Sequence, residues 1–243
     1  MKPEPSRGPQ PEVERFVWSI RAQHFVLFTS CLLLIITGLP LKFPDSLAAR
    51  IFFHLTGGVK GGGYLHRIGA AALIGVGTYH MFFITFTRAG RREFFQLLPR
   101  WKDVRDVTHS VLYFFGLRRE RARFARFSYV EKFDYWAVYW GMVIMIGSGL
   151  ALWLHNWALA HLPLAVLDIA YQAHSDEALL ATLAIVIWHF YNVHLNPDNF
   201  PMSWTWWNGK ITLEKMRSHH PVEYDQLMAQ QKQAPKPQEP AQR

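Results

Sequence analysis

The sequence predicts an all-α integral membrane protein, a bundle of four transmembrane helices, on three observations. Half of its 243 residues are hydrophobic and only 18% are charged, against about 25% charge in ordinary soluble domains. A mean hydropathy near zero averages two unlike populations, long uncharged apolar runs and strongly basic segments. Four of the apolar runs approach or exceed the roughly 20 residues that span a bilayer. The only cysteine, Cys31, rules out a disulfide framework, a Cys-held iron–sulfur cluster, a Cys zinc site and C-x-x-C-H haem attachment. The 12 His are then the one plentiful class of soft ligand.

The spans are expected at about 20–39, 64–87, 133–154 and 173–195, after an N-terminal segment 1–19. The first is expected to stop at Thr37-Gly38-Leu39-Pro40, because proline interrupts a helix. It is too long for a cleavable signal and has no small-residue cleavage site behind it. All but four of the 26 Lys and Arg fall before or at the very start of span one, in the 88–132 connection or in the C-terminal stretch. Lys42, Arg50, Lys60 and Arg67 are the exceptions. Basic residues stay on the cytoplasmic face, so both termini and the 88–132 loop are expected there. The net charge of +8 flanks spans on one face only, which reads as topology and not as nucleic-acid binding. Within the loop, Asp103 to Phe115 has the pattern of an amphipathic helix in the headgroup region. Trp18, Trp101, Trp204, Trp206 and Trp207 suit one aromatic belt, and Trp153 and Trp157 the other. From Gln226 to Arg243 the chain is rich in Gln, Pro and Lys and is expected to be a disordered tail. The four-helix domain therefore occupies 20–225.

Ionisable residues inside a span are expensive and mark function. Here nearly all are His: His24, His66, His80, His174, His189 and His194. His66 and His80 share one helix face within about 40°, roughly 21 Å apart along the axis. His174 and His189 lie within about 60° of one face, roughly 22 Å apart. Both spans run the same way across the bilayer, so His66 is level with His174 and His80 with His189. Imidazoles from separate helices at two matched depths are what two stacked, bis-His porphyrins need. Gly69, Gly75 and Gly77, with Gly141, Gly147 and Gly149, would let a flat macrocycle approach the backbone. Two rival classes are a His-based metal or ion transporter and a haem-free membrane anchor. A transporter usually also needs carboxylates, and only Asp134, Asp176 and Glu177 stand near the span ends.

Several fragments in order add to this: RAQHF from Arg21, TGLPLKF from Thr37, LHRIG from Leu65, HSDEALLATLAIVIWHFYNVH from His174 and SHHPVEY from Ser218. With their spacing and topology, the chain resembles the gamma (cytochrome b) subunit of membrane-bound formate dehydrogenases. That group is related to the b-type subunits of nickel–iron hydrogenases and thiosulfate reductases. The resemblance implies a membrane subunit of a respiratory oxidoreductase complex with two haem b, in a bacterial cytoplasmic (inner) membrane. His66 and His174 would hold the outer haem, and His24 and His189 the inner one. His80 is additional to that pattern and competes by depth with His24 for the inner iron. The family handles its quinone, menaquinone or ubiquinone, beside the inner haem and the start of span three. That stretch here is RFSYVEKFDYW from Arg126, offering Ser128, Glu131 and Lys132, with His194 as a further candidate. Asp134 and Tyr135 are weaker ones. Arg21 and Arg67 stand beside proposed ligands and are candidates either to pair with haem propionates or to snorkel to the interface. The chain has no site for formate, hydrogen or thiosulfate chemistry. Electrons would therefore pass between the quinone pool and an extracytoplasmic iron–sulfur or multihaem cytochrome c subunit. That partner would dock on the loops 40–63 and 156–172.

Overall fold

The computed structural model describes residues 11–197 and 199–233. In chain order it contains strand β1 (Glu12–Glu14) and helices α1 (Trp18–Lys42), α2 (Leu47–Leu55), α3 (Val59–Phe86), α4 (Arg88–Leu97) and α5 (Trp101–Phe114). There follow α6 (Tyr129–Trp153), α7 (His155–His161), α8 (Leu164–Leu183), α9 (Thr205–Asn208), strand β2 (Lys210–Thr212), α10 (Leu213–His219) and α11 (Pro221–Gln233). Two π-helical turns, Ala184–His189 and Tyr191–Leu195, continue α8. These residues form two compact units: an apolar unit of 16–95 and 133–209, and a polar unit gathered from 11–15, 96–132 and 210–233.

Four helices are long and apolar enough to cross a membrane: Trp18–Lys42, Val59–Phe86, Tyr129–Trp153 and the continuous Leu164–Leu195. The coarse architecture is therefore a multi-pass, all-α membrane protein. On α1 the exposed side chains Phe25, Phe28, Leu32 and Ile36 recur at i, i+3, i+7 and i+11. That is one helical stripe of large apolar groups turned outward, as lipid requires. The opposite stripe buries Ser30 and Thr37. Their hydroxyls bond back to carbonyls one turn earlier, Ser30 to Leu27 at 2.9 Å and Thr37 to Leu33 at 2.7 Å, so neither polar group is unsatisfied inside the helix pack.

Every span is longer than predicted, and each extension has a local cause. α1 does not stop at Pro40. The missing proline N–H interrupts a single rung, and Phe43 N–H resumes the ladder on Leu39 O at 2.9 Å. α3 begins at Val59 because Gly57 and Gly58 take φ of 75° and 93°, a left-handed turn that side chains resist. The glycines of 61–63 are then helical, and a Cβ on Gly62 would sit 2.8 Å from Phe52 Cε1 of α2. α6 begins at Tyr129, where the Glu131 carboxylate accepts the Ser128 N–H at 2.7 Å in half of a capping box. α8 begins directly after Pro163, so the last nine residues of the predicted outer loop 156–172 lie in it, and α7 accounts for most of the others.

In the polar unit β1 and β2 pair antiparallel, Val13 opposite Ile211. Beside them Arg15, 4% exposed, reaches Glu223 of α11 at 2.6 Å, His220 at 3.1 Å and the Arg126 carbonyl. Arg126 returns to Glu223 at 2.9 Å. This anchored end explains one departure from expectation: residues 226–233, predicted as the start of a disordered tail, continue α11. Residues 234–243 lie outside the described residues.

Candidate functional site

Two pairs of imidazoles face each other inside the apolar unit. His66 of α3 and His174 of α8 have ring centres 6.2 Å apart. His24 of α1 and His189, at the end of the first π turn, have ring centres 6.4 Å apart. Two imidazoles ligating one metal from opposite sides, each nitrogen about 2.0 Å from it and about 1.2 Å from its own ring centre, stand about 6.4 Å apart. Both pairs match that spacing. Thr37, which meets His66, is 13 residues along α1 from His24, so the pairs are separated by roughly 20 Å along the helix axis.

The hydrogen bonds fix which nitrogen each ring offers. Thr37 Oγ1 lies 2.7 Å from Leu33 O and 2.8 Å from His66 Nδ1. Ser148 Oγ of α6 likewise lies 2.6 Å from Ile144 O and 3.1 Å from His174 Nδ1. His189 Nδ1 lies 3.1 Å from the Asp134 carboxylate, which accepts. In all three rings Nδ1 is the nitrogen met by a hydroxyl or carboxylate, the arrangement that leaves Nε2 for a metal. His24 Nδ1 is buried with no hydrogen-bond partner among the described residues, and its ring packs on Trp206 with centres 5.6 Å apart. Leaving such a group unsatisfied costs about 1–3 kcal/mol.

His80 presents the opposite case. Its Nδ1 donates to Gln23 Oε1 at 2.8 Å, an oxygen identified by the Gln23 amide donating to Ser19 O at 3.1 Å. Its Nε2 then accepts from Tyr135 OH at 3.0 Å. Both ring nitrogens are engaged. His80 stands level with His189, beside Gln23 and Tyr135, but the ring that faces His189 is that of His24.

The glycines divide by role. A Cβ on Gly149 would lie 2.9 Å from His174 Cε1, and one on Gly38 3.4 Å from His66 Cε1, so these two make room for the imidazoles themselves. A Cβ on Gly75 or Gly147 would meet no described atom within 4 Å, the open flank that a flat macrocycle needs. Gly69 and Gly77 instead pack on Leu34 and Met142, and Gly141 on Glu177. Among the described residues no three His, Cys, Asp or Glu side chains form a metal-binding group. Paired imidazoles alone suit a metal whose other ligands come from a porphyrin, whereas zinc takes three or four protein ligands.

The other predicted residues are placed elsewhere. His194 stacks on Phe190, ring centres 4.4 Å apart. In the polar unit Glu131 caps α6 on Ser128, and Lys132, 8% exposed, holds both Asp103 oxygens at 2.8 Å. Arg21 donates to Trp207 O at 2.7 Å and lies over Trp18. Arg67 sits over Trp153 and Tyr64. Sequence reasoning missed Thr37, Ser148 and Trp206 and undervalued Asp134. The available signal was a hydroxyl or carboxylate alone among apolar neighbours in a span.

The chain matches no protein-family model, and a search of curated proteins finds no match.

Proposed function

We propose that the chain is a dihaem cytochrome b, the membrane subunit of a respiratory oxidoreductase complex similar to the gamma subunits of formate dehydrogenases. It passes electrons across a bacterial cytoplasmic membrane between a quinone pool and an extracytoplasmic redox partner. The observation that carries the proposal is the pairing of imidazoles at ligating distance, three of them met at Nδ1 by a hydroxyl or carboxylate. His66 and His174 would hold one haem b, and His24 and His189 the other. When bound, haem supplies one-electron chemistry that no side chain here can provide.

The protein's own contribution lies in the second ring of contacts. Thr37, Ser148 and Asp134 orient their imidazoles. Exposed lipid-facing side chains such as Phe28 and Ile36 keep the surroundings apolar. Both termini and the 88–132 loop are assigned to the cytoplasm by their basic residues. A quinone, menaquinone or ubiquinone, exchanges electrons at the cytoplasmic end, for which Ser128, Glu131, Lys132 and His194 are the candidates. An iron–sulfur or multihaem cytochrome c subunit docks at the other end, where α2 turns Leu47, Ile51 and Leu55 outward.

A pyridine haemochrome assay on the purified chain tests the assignment. Two b haems per chain are expected, falling to one in His66→Ala, His174→Ala, His24→Ala or His189→Ala, and staying at two in His80→Ala. A folded, colourless protein that binds zinc instead would favour the transporter reading and overturn this one.

A further inference from the structure

Helix α5 is built inside out. Projected at 100° per residue, Trp101, Val104, Val107, Val111 and Phe114 fall within an arc of about 140°. All five are exposed, Trp101 and Phe114 at 82%. The chain beyond the helix extends the same character, with Phe115 at 69% and Leu117 at 71% exposure. The polar side makes its side-chain contacts within its own unit. Asp103 holds Lys132, Lys102 bonds Asp106 at 2.5 Å and the Arg123 carbonyl at 2.9 Å, and His109 Nε2 donates to Glu120 O at 2.8 Å. A helix on a water-soluble surface places these two faces the other way round.

The flanks indicate what covers the apolar arc. Arg105, Arg118 and Arg119 are exposed at or just beyond it, and a tryptophan and a pair of phenylalanines stand at its two ends. Aromatic ends, an apolar strip a few ångströms deep and basic margins are the makeup of a helix that lies in the plane of an anionic bilayer surface. The connection that carries α5 also joins two helices of membrane-spanning length, so both of its ends return to the same bilayer face. A protein partner would need to complement a strip that is aromatic at both ends and ringed by arginine. The bilayer already does so.

We propose that α5 is an interfacial anchor whose Trp101–Phe114 face inserts among lipids and whose arginine margin selects anionic headgroups. The proposal needs only the spans and is independent of the imidazole pairs. The test uses the full chain with Cys31→Ser, reconstituted in vesicles of phosphatidylcholine and phosphatidylglycerol. A fluorophore is attached at Val104→Cys, Val111→Cys or, as a loop control, Glu120→Cys. Labels at 104 and 111 should be quenched by brominated acyl chains about twofold or more beyond the label at 120, and shielded from aqueous iodide. Arg118→Glu with Arg119→Glu should reduce that quenching in phosphatidylglycerol vesicles to the level seen in phosphatidylcholine alone. On the unaltered chain, amides 101–114 should exchange more slowly in phosphatidylglycerol vesicles than in detergent. Quenching by iodide without quenching by brominated lipid would overturn the proposal. So would shielding from both quenchers, which would mean cover by a protein partner or a second copy.

Discussion

A buried hydroxyl does more for His66 than fill space. Thr37 Oγ1 is shared between Leu33 O at 2.7 Å and His66 Nδ1 at 2.8 Å, which fixes the orientation of the ring. Thr37→Val keeps the shape and removes this control, letting the ring turn or change tautomer. Losing such an outer contact typically weakens metal binding about 10- to 100-fold. With haem held as proposed, Thr37→Val is therefore expected to lower haem retention about 10-fold during a competitive transfer to apomyoglobin, and Asp134→Asn by less. They should affect different haems, Thr37→Val the one held with His174 and Asp134→Asn the one held with His24, and redox titration of the two spectral components would separate them. Equal retention in both variants and wild type would show that the hydroxyl and carboxylate do not set the ligand. Asp134→Asn should be the milder change, since an amide oxygen still accepts from Nδ1 while the carboxylate charge is lost.

Helix α11 is held by its first turns, and one of its contacts titrates. His220 Nδ1 donates to Ala125 O at 2.9 Å and its Nε2 accepts from Arg15 at 3.1 Å. Burial first, and the Arg15 guanidinium second, push its pKa below the usual imidazole value, against opposing pulls from Glu131, the Ala125 carbonyl and Glu223. Arg126 faces the same cluster through Glu223. Because the folded value is depressed, the unfolded chain takes up its proton first as the pH falls. The contribution of His220 is complete above about pH 6.5 and is lost as the pH falls below it. Protection of amides 213–233 against hydrogen exchange, referred to the intrinsic rate at each pH, should fall in the wild type between neutral and mildly acid pH. It should change less in His220→Gln, whose amide can serve both partners without titrating; an unchanged acid response in that variant would assign it to another group. Elements such as α11 also mark the limit of sequence reading. The four spans were legible because apolar length alone specifies them, but their ends were not. The ends depend on a carboxylate cap at Glu131, two left-handed glycines at 57 and 58 and a proline that interrupts only one rung. The π turns before His189 left no mark in the sequence, so rotation reckoned at a regular 100° per residue could not choose between His24 and His80 as its partner. The choice depends on which helices adjoin, and the Gln23 and Tyr135 groups that engage His80 come from two others.

At the scale of the whole chain, the four spans among the described residues and a lopsided charge distribution are the grounds for the proposed orientation. In that orientation the two ends of the chain and the 88–132 connection share a side. Twelve Lys and Arg lie in that connection, whereas Lys42, Arg50, Lys60 and Arg67 are the only ones on the opposite side. Inverting the chain would carry the larger set outward against the membrane potential, at roughly 2.3 kcal/mol per charge for each 100 mV, a bias far beyond thermal energy. The two ends of the bundle are chemically distinct in the same sense: His24, near the start of α1, belongs to the basic side, and Thr37 with His66 to the other. Single cysteines in a Cys31→Ser background, placed at exposed positions, should report this directly. Asp45→Cys and Asn156→Cys should react with a membrane-impermeant maleimide in right-side-out vesicles, while Glu120→Cys and Gln231→Cys react only in inverted ones. If Asp45→Cys and Glu120→Cys reacted from the same side, the crossing between them would be lost. The two imidazole pairs could then no longer serve opposite faces of one membrane, and electron transfer across the bilayer would fail even if both haems were present.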